Sequence, residues 1–349
     1  MIMIKRKKLS LLITIVGLIF IMMSSSIFAA EMVDLQKYKK APPYKVAFDI
    51  YYKGNEWGVL LLEEFKAEVA NHPDLISEAF YTDSEGDTAK QISNIEDLIV
   101  RNPDLLVLTP NSFTSLNPVI EKAYDKGIAV ILCAAGASTE KYTAYVNVDD
   151  YNWGEINAEW VAKAMGYKGN VVAFSGIAGL STAEDRWKGA LAVFNKYPEI
   201  KVIAHEYADW TYPKAKMAME NIIAAHSKID GIWSGGEQMS KGCIETLLAA
   251  GRELPPVTGG ESNGFLKLWK KYNLTSYAYT KPTWLSQKAL QIGLDILQGK
   301  PTLKVNLVKG DIITRENLDN YLRPDLPDSF ATCTHLSDEI IKKLFPGGE

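Results

Sequence analysis

The chain has 349 residues, 47% of them hydrophobic and 23% charged, which excludes a disordered chain, a collagen-like fibre and a small disulfide-stapled scaffold and leaves room for two domains. Of its 38 basic residues, four (Lys5, Arg6, Lys7 and Lys8) fall in an N-terminal stretch without acids, so the remainder stands at 34 basic against 42 acidic, a net −8. A body that acidic is a poor partner for nucleic acid or an anionic membrane surface.

Residues 1–30 read as a secretory signal peptide: the four basic residues, an apolar run from Leu9 to Met23, then Ser24–Ser26 and the small pair Ala29-Ala30, where cleavage is expected. An uncleaved anchor is the alternative, but the run is shorter than the roughly 20 residues a spanning helix needs. No cysteine lies near the cleavage region to carry a lipid. The expected product is periplasmic or otherwise extracytoplasmic.

Strands and helices then alternate. Tyr44–Tyr51 reads as a buried strand, followed by a helix over Trp57–Ala70 and a strand over Ile76–Tyr81. Asp87 caps a helix carrying Ile92, Ile95, Leu98 and Ile99. Asp104–Thr109 is a third strand, Asn117 before Pro118 opens a helix, and Ile128–Cys133 and Ala144–Val148 continue the sheet. A second series has strands at Asn170–Ser175, Ile200–Glu206, Gly231–Trp233, Val257–Gly259 and Ser276–Tyr279. Its helices start at Thr182 and Pro213, span Met239–Ala250 and Phe265–Lys271, and end with Thr283–Gln298. Ser181 with Glu184 fits a capping box. Such alternation implies parallel sheets with helices on both faces, an α/β fold of two similar doubly wound lobes. Beyond Lys309 the periodicity fades, and Arg315–Pro346 is expected to pack along the surface.

Several chemistries find no foothold. There is no CxxC, HExxH, GxSxG or GxxxxGK[ST] pattern. The histidines are isolated, and Cys133, Cys243 and Cys333 allow one bridge at most. No metal, cofactor or catalytic residue is nominated. Open parallel sheets bind ligands beyond the carboxyl ends of their strands. Those ends lead to Tyr51, Asn55 and Trp57; to Asn111 and Ser112; to Asp185 and Arg186; to Asp209 and Trp210; to Glu237 and Gln238; and to Glu261 and Asn263. Aromatics beside carboxylates, amides and an arginine suit a polar ring, stacked on Trp or Tyr and hydrogen-bonded through its hydroxyls. Each side chain has a plainer alternative. Trp57 could be packing, Asp185 and Arg186 a surface pair worth roughly 0–1 kcal/mol, and Glu237 and Glu261 solvated helix-start acids. Asp149 and Asp150 are assigned to the lobe crossover and Cys133 to the core.

The segments KVAFDIYYKGNEW, DLLVLTPNSFTSLNPVIEKAYDKGIAVIL, YVNVDDYNWG, EDRWKGALAVFNKYPEIKV and IDGIWSGGEQMSKGCIETLLAAGREL, in this order after a signal peptide, resemble the extracytoplasmic sugar-binding proteins of ABC importers, of the ribose/galactose-binding type. The resemblance covers roughly residues 44–308. It implies two lobes joined by a three-strand hinge, the periplasmic binding protein-like I fold, closing on a sugar without catalysis. It sets Asn55 and Trp57 on the family's stacking segment and Arg186 on its second-lobe arginine. Gly236 and Glu237 fall on its Asn-Asp pair, Glu261 on its ligand-binding aspartate, and Thr280 on a polar hinge residue. The chain departs at Cys133-Ala134-Ala135, where the family often has an aspartate, and at Gly236. Trp210 and Trp153 are the candidates to enclose the ligand instead.

The expected division is 44–148 plus 282–304 for the N-terminal lobe and 149–281 plus 305–349 for the C-terminal lobe, with crossovers near Asp149, Lys281 and Val305. The expected ligand site comprises Tyr51, Asn55, Trp57, Asn111, Asp185, Arg186, Trp210, Glu237, Glu261, Asn263 and Thr280. The expected partners are a sugar, polyol or similar small molecule and the membrane permease of an importer; nucleic acid is not expected, and the protein is expected to be a monomer. Two further classes stay open: a sensor presenting its ligand to a receptor kinase or chemoreceptor, and a secreted glycoside-processing enzyme using Glu237 and Glu261 as its carboxyl pair.

Overall fold

A computed structural model describes residues 31–346; the signal-peptide reading falls outside them. The first lobe is laid down by β1 (Tyr44–Ile50), α1 (Glu56–Ala70), β2 (Ile76–Asp83), α2 (Thr88–Val100), β3 (Leu105–Leu108), α3 (Asn117–Asp125), β4 (Ala129–Cys133) and β5 (Ala144–Val148). Its central strands are buried on both faces, as in β3, where all four residues are inaccessible. The outer strand β2 is half-buried along most of its length and exposed only at Ser77 and Glu78. Helix α2 shows why these segments choose their form. Asp87 accepts a hydrogen bond from Lys90 N at 2.7 Å, which starts the helix. Gln91, Ile95, Leu98 and Ile99 then recur on the face turned to the sheet.

The second lobe repeats the plan with α4 (Asp150–Ala164), β6 (Gly169–Ser175), α5 (Ser181–Phe194), β7 (Ile200–Tyr207), α6 (Tyr212–Ala225), β8 (Gly231–Ser234), α7 (Glu237–Ala249), β9 (Val257–Thr258), α8 (Asn263–Tyr272) and β10 (Ser276–Tyr279). The chain then returns. Helix α9 (Leu285–Leu297) buries Leu285, Ala289, Leu290 and Ile296 in the core of the first lobe, with Val46, Phe48 and Phe65. Strand β11 (Val305–Val308) follows, then β12 (Ile312–Ile313), α10 (Leu318–Tyr321) and α11 (Asp338–Leu344). The first sheet runs β11-β5-β4-β3-β1-β2 and is parallel throughout; the second runs β12-β10-β9-β8-β6-β7, parallel except for β12. Among the described residues no helix is long and apolar enough to cross a membrane.

Four expectations need correction. Val305–Val308 pairs with β5 in the first sheet, with Val305 opposite Tyr145 and Val308 opposite Val148, so the third crossover lies at 309–311 rather than near Val305. An edge strand with alternating burial can add to either sheet, and only the ladder decides. The Ser181–Glu184 capping box does not form: the N-cap is Leu180, Ser181 Oγ accepts from Gly136 N, and Glu184 accepts from Gly179 N. Asn117 lies inside α3 behind the N-cap Leu116 and donates to Ser138 Oγ. The tail is more than a surface strap. Leu326, Phe330, Ala331, Leu336, Ile341 and Phe345 form a buried cluster with Leu60 of α1.

The tail also links the lobes. Asn263 in the second lobe donates to the carbonyls of Arg323, Leu326 and Pro327 and accepts from Arg323 N. Glu64 in the first lobe accepts from Thr283 Oγ1, Thr334 Oγ1 and His335 N. The third crossover is pinned to the second: Thr280 N donates to Asp311 O at 2.9 Å, and Asp311 N to Thr280 Oγ1 at 2.8 Å. Gly310 makes this possible, because a Cβ there would sit 2.0 Å from the Thr280 carbonyl oxygen.

Candidate functional site

The carboxyl ends of both sheets and the crossovers line one cavity, in the place where open parallel sheets bind their ligands. The first lobe contributes Tyr51 beyond β1, Asn55, Glu56 and Trp57 at the start of α1, Thr109 beyond β3, and Ala134-Ala135 beyond β4. The second contributes Trp153, Thr182, Arg186, Trp210, Glu237 and Glu261, with Lys281 on a crossover.

Behind its wall is a buried ionic knot that spans the lobes. Asp150, at the first turn of α4, accepts from Arg186 Nε at 2.9 Å, Lys281 Nζ at 2.9 Å and Asn147 Nδ2 at 2.7 Å. Burial alone would raise the Asp150 carboxyl; Lys281 and Arg186 outweigh it and hold the group below its usual range. Burial pushes the Lys281 ammonium down to about 8, against the pull of Asp150. Lys281 Nζ also reaches Ala134 O at 2.6 Å and Thr182 Oγ1 at 3.2 Å. Ala134 adopts a left-handed φ of 64°, an uncommon conformation outside glycine. Where the family resemblance suggested an aspartate, the chain thus offers a backbone carbonyl, answered by a lysine.

Arg186 is held on three sides. Besides Asp150 it donates to Gly235 O at 2.7 Å, and its guanidinium lies 3.9 Å from the centre of the Trp153 ring. The surface pair with Asp185 is not formed; Asp185 turns outward to Lys188. Trp210 follows Asp209, and both have positive φ. That turn folds the indole back so that Nε1 donates to Gly235 O at 3.0 Å. A Cβ on Gly236 would meet the indole at 2.5 Å, so glycine at 236 makes room for Trp210.

Trp57 bridges the lobes directly: its Nε1 donates to Lys281 O at 2.7 Å. Three glutamates complete the wall. Glu56 accepts from Gln238 across the cleft. Glu261 accepts from Lys281 N at 3.1 Å. Burial, then the charge of Glu56, pushes Glu237 up to about 7; burial, then Glu237, raises Glu261 well above the carboxylate range. Two polar atoms on the wall have no protein partner: Thr109 Oγ1 and Trp153 Nε1, on side chains 2% exposed.

Of the expected site residues, Tyr51, Asn55, Trp57, Arg186, Trp210, Glu237 and Glu261 come together on this wall. Asn55 spends its Oδ1 capping α1 through Gly58 N. Asn111 lies off the wall, its amide buried without a partner. Asp185, Asn263 and Thr280 are also elsewhere, serving the surface, the tail and the crossover. Sequence reasoning missed Lys281, Thr182, Glu56 and Thr109, and gave Asp150 only to the crossover. A lysine just past a strand end, beside Thr280 and Pro282, was the available signal. Among the described residues no group of three His, Cys, Asp or Glu is arranged to hold a metal ion.

A family profile described as periplasmic binding protein domain matches residues 46–301. The ribose import binding protein RbsB of Bacillus subtilis is 25% identical over 222 residues, 64% of this chain and 72% of its own length. A xylitol-binding protein of Mycolicibacterium smegmatis is 32% identical over 183 residues; the match spans about half of each chain, 52%. Among solved structures, the fructose-binding periplasmic domain of a hybrid two-component system superposes with a TM-score of 0.74 at 27% identity, over 79% of this chain and 92% of that one. With the paired parallel sheets and the cavity between their strand ends, these matches establish that the chain belongs to the periplasmic binding protein family.

Proposed function

We propose that the protein is the extracytoplasmic solute-binding component of an ABC importer, a monomer that captures a sugar-like polar ligand by closing its lobes and presents it to a membrane permease. The observation that carries this reading is the convergence of both lobes on one cavity, lined by Trp57 of the first and Arg186 and Glu261 of the second, with Trp57 bonded to Lys281 on the crossover. A ligand touching both lobes favours the closed arrangement by the contacts it makes only there. Binding alone accounts for the carboxyl groups Glu237 and Glu261, as acceptors for a ligand's hydrogen-bond donors beside Arg186.

A sensory role is the second reading, supported by the similarity to a periplasmic domain of a two-component system. Calorimetry and thermal shift on residues 31–349 against monosaccharides, polyols and nucleosides test the binding function. Saturable binding with a smaller radius by X-ray scattering is expected. Absence of binding across the set, or hydrolysis of a glycoside, refutes it. Uptake by vesicles carrying the cognate permease, set against stimulation of a receptor kinase, separates transport from sensing.

A further inference from the structure

The cavity is unbalanced in charge. Its two cations, Arg186 on α5 and Lys281 after β10, are both engaged by Asp150 on α4. That trio retains one positive charge. Facing it are Glu56 on α1, Glu237 on α7 and Glu261 after β9, three further carboxyl groups. No lysine or arginine among the described residues forms an ion pair with any of them. The other titratable neighbours, Tyr51 after β1 and Cys133 on β4, are kept protonated by burial and supply no counter-charge. Burial raises Glu237 and Glu261, the response of carboxyl groups with no cation paired to them, and a ligand cation beside them would draw both toward the charged form. Thr109 and Trp153 also line the cavity, although Thr109 Oγ1 and Trp153 Nε1 are covered and without a protein partner.

We propose that the ligand is a polyol or cyclitol carrying a protonated amine, with its ammonium against Glu237, Glu56 and Glu261 and its hydroxyls toward Arg186. The inference rests on the binding-protein reading and narrows its ligand class. A bare metal ion does not fit, since no three of these acids are arranged to ligate one; an ammonium on an extended carbon frame meets the carboxylates through separate charge-assisted hydrogen bonds. A proton and the ammonium then compete for the same carboxylates. Because burial and Glu56 place Glu237 at about 7, binding of such a ligand strengthens from pH 6 to pH 8.

The test is calorimetry on residues 31–349 with matched pairs, 1-amino-1-deoxysorbitol against sorbitol and scyllo-inosamine against scyllo-inositol, at pH 6 and pH 8. At least one aminated compound is expected to bind roughly tenfold more tightly than its hydroxyl counterpart at pH 8, with a smaller advantage at pH 6. Glu237→Gln, checked for folding by circular dichroism, should remove the advantage, so that the aminated and hydroxyl members of a pair bind alike. If that variant does not fold, the wild-type comparison at the two pH values decides. Neutral sugars or polyols binding as tightly as the amines at pH 8 would overturn the inference and leave the binding-protein reading standing. Failure of both amines and neutral compounds to bind would overturn both.

Discussion

Trp57 offers the sharpest test of closure, because its two contributions can be removed separately. Trp57→Phe keeps an aromatic ring on the cavity wall but deletes the 2.7 Å bond from Nε1 to Lys281 O. That bond ties the first lobe to the second crossover, and the proposal under test is that closure makes it. A net hydrogen bond is worth about 0.5–1.5 kcal/mol, so the closed state loses that much and ligand affinity falls roughly twofold to tenfold. Trp57→Ala also removes the stacking face, and burial of a large side chain adds about 1.5–3 kcal/mol. The combined loss is on the order of a hundredfold or more. Trp57 is the second residue of α1, half-buried at the edge of the first-lobe core, so the phenylalanine variant should melt close to wild type. Calorimetry with the ligand found by screening, beside thermal melts of the ligand-free proteins, separates binding from folding. Wild-type affinity in both variants would refute the placement of the ligand against Trp57, and unchanged affinity in Trp57→Phe alone would refute the role of the interlobe bond.

Arg186→Ala is expected to weaken binding and also to destabilise the ligand-free protein by about 3 kcal/mol, the low end for breaking a buried ion pair, because Lys281 still serves Asp150; denaturant midpoints show this, and Arg186→Lys should restore little of it. Asn263→Ala should cost about 1–3 kcal/mol by releasing three tail carbonyls while ligand affinity by calorimetry stays at wild type; a tenfold loss of affinity would return Asn263 to the site. Glu237 has a folded pKa raised from 4.5 to about 7, so the fold holds the proton more tightly than the unfolded chain. Its contribution to stability is greatest below pH 4.5 and is lost as pH rises through 7, at most about 3 kcal/mol. Urea midpoints at pH 5 and pH 8 should therefore differ less in Glu237→Gln than in wild type. Asp49, pushed up to about 6 by burial, acts in the same direction in both proteins and cancels in the comparison.

How much of this was legible beforehand depends on how far apart in the chain the deciding partners lie. Strands such as β3 and β4 were legible because a run buried on both faces reads as continuous apolar sequence, and α2 because its cap and its apolar stripe are both local. The same locality served seven side chains of the site, since a strand end in a parallel sheet points to the cleft whatever the rest of the fold does. It failed where neighbours in sequence turn different ways. Asp185 precedes Arg186 on α5 and is carried around the helix to solvent, and Asn263 opens α8 facing the tail some 60 residues on. Lys281 and Asp150 are 131 residues apart, and nothing near either announces a buried ion pair. The edge placement of β11, the grip of Glu64 on the tail and the surplus of acid in the cavity likewise arise only when the lobes meet. The sequence by itself determined the periodicities and the strand ends, which are properties of short segments. Tertiary structure decided which lobe the edge strand joins, which cations are already engaged and which carboxyl groups are left to a ligand, because those depend on charges and backbone groups brought within 3 Å of each other from opposite ends of the chain.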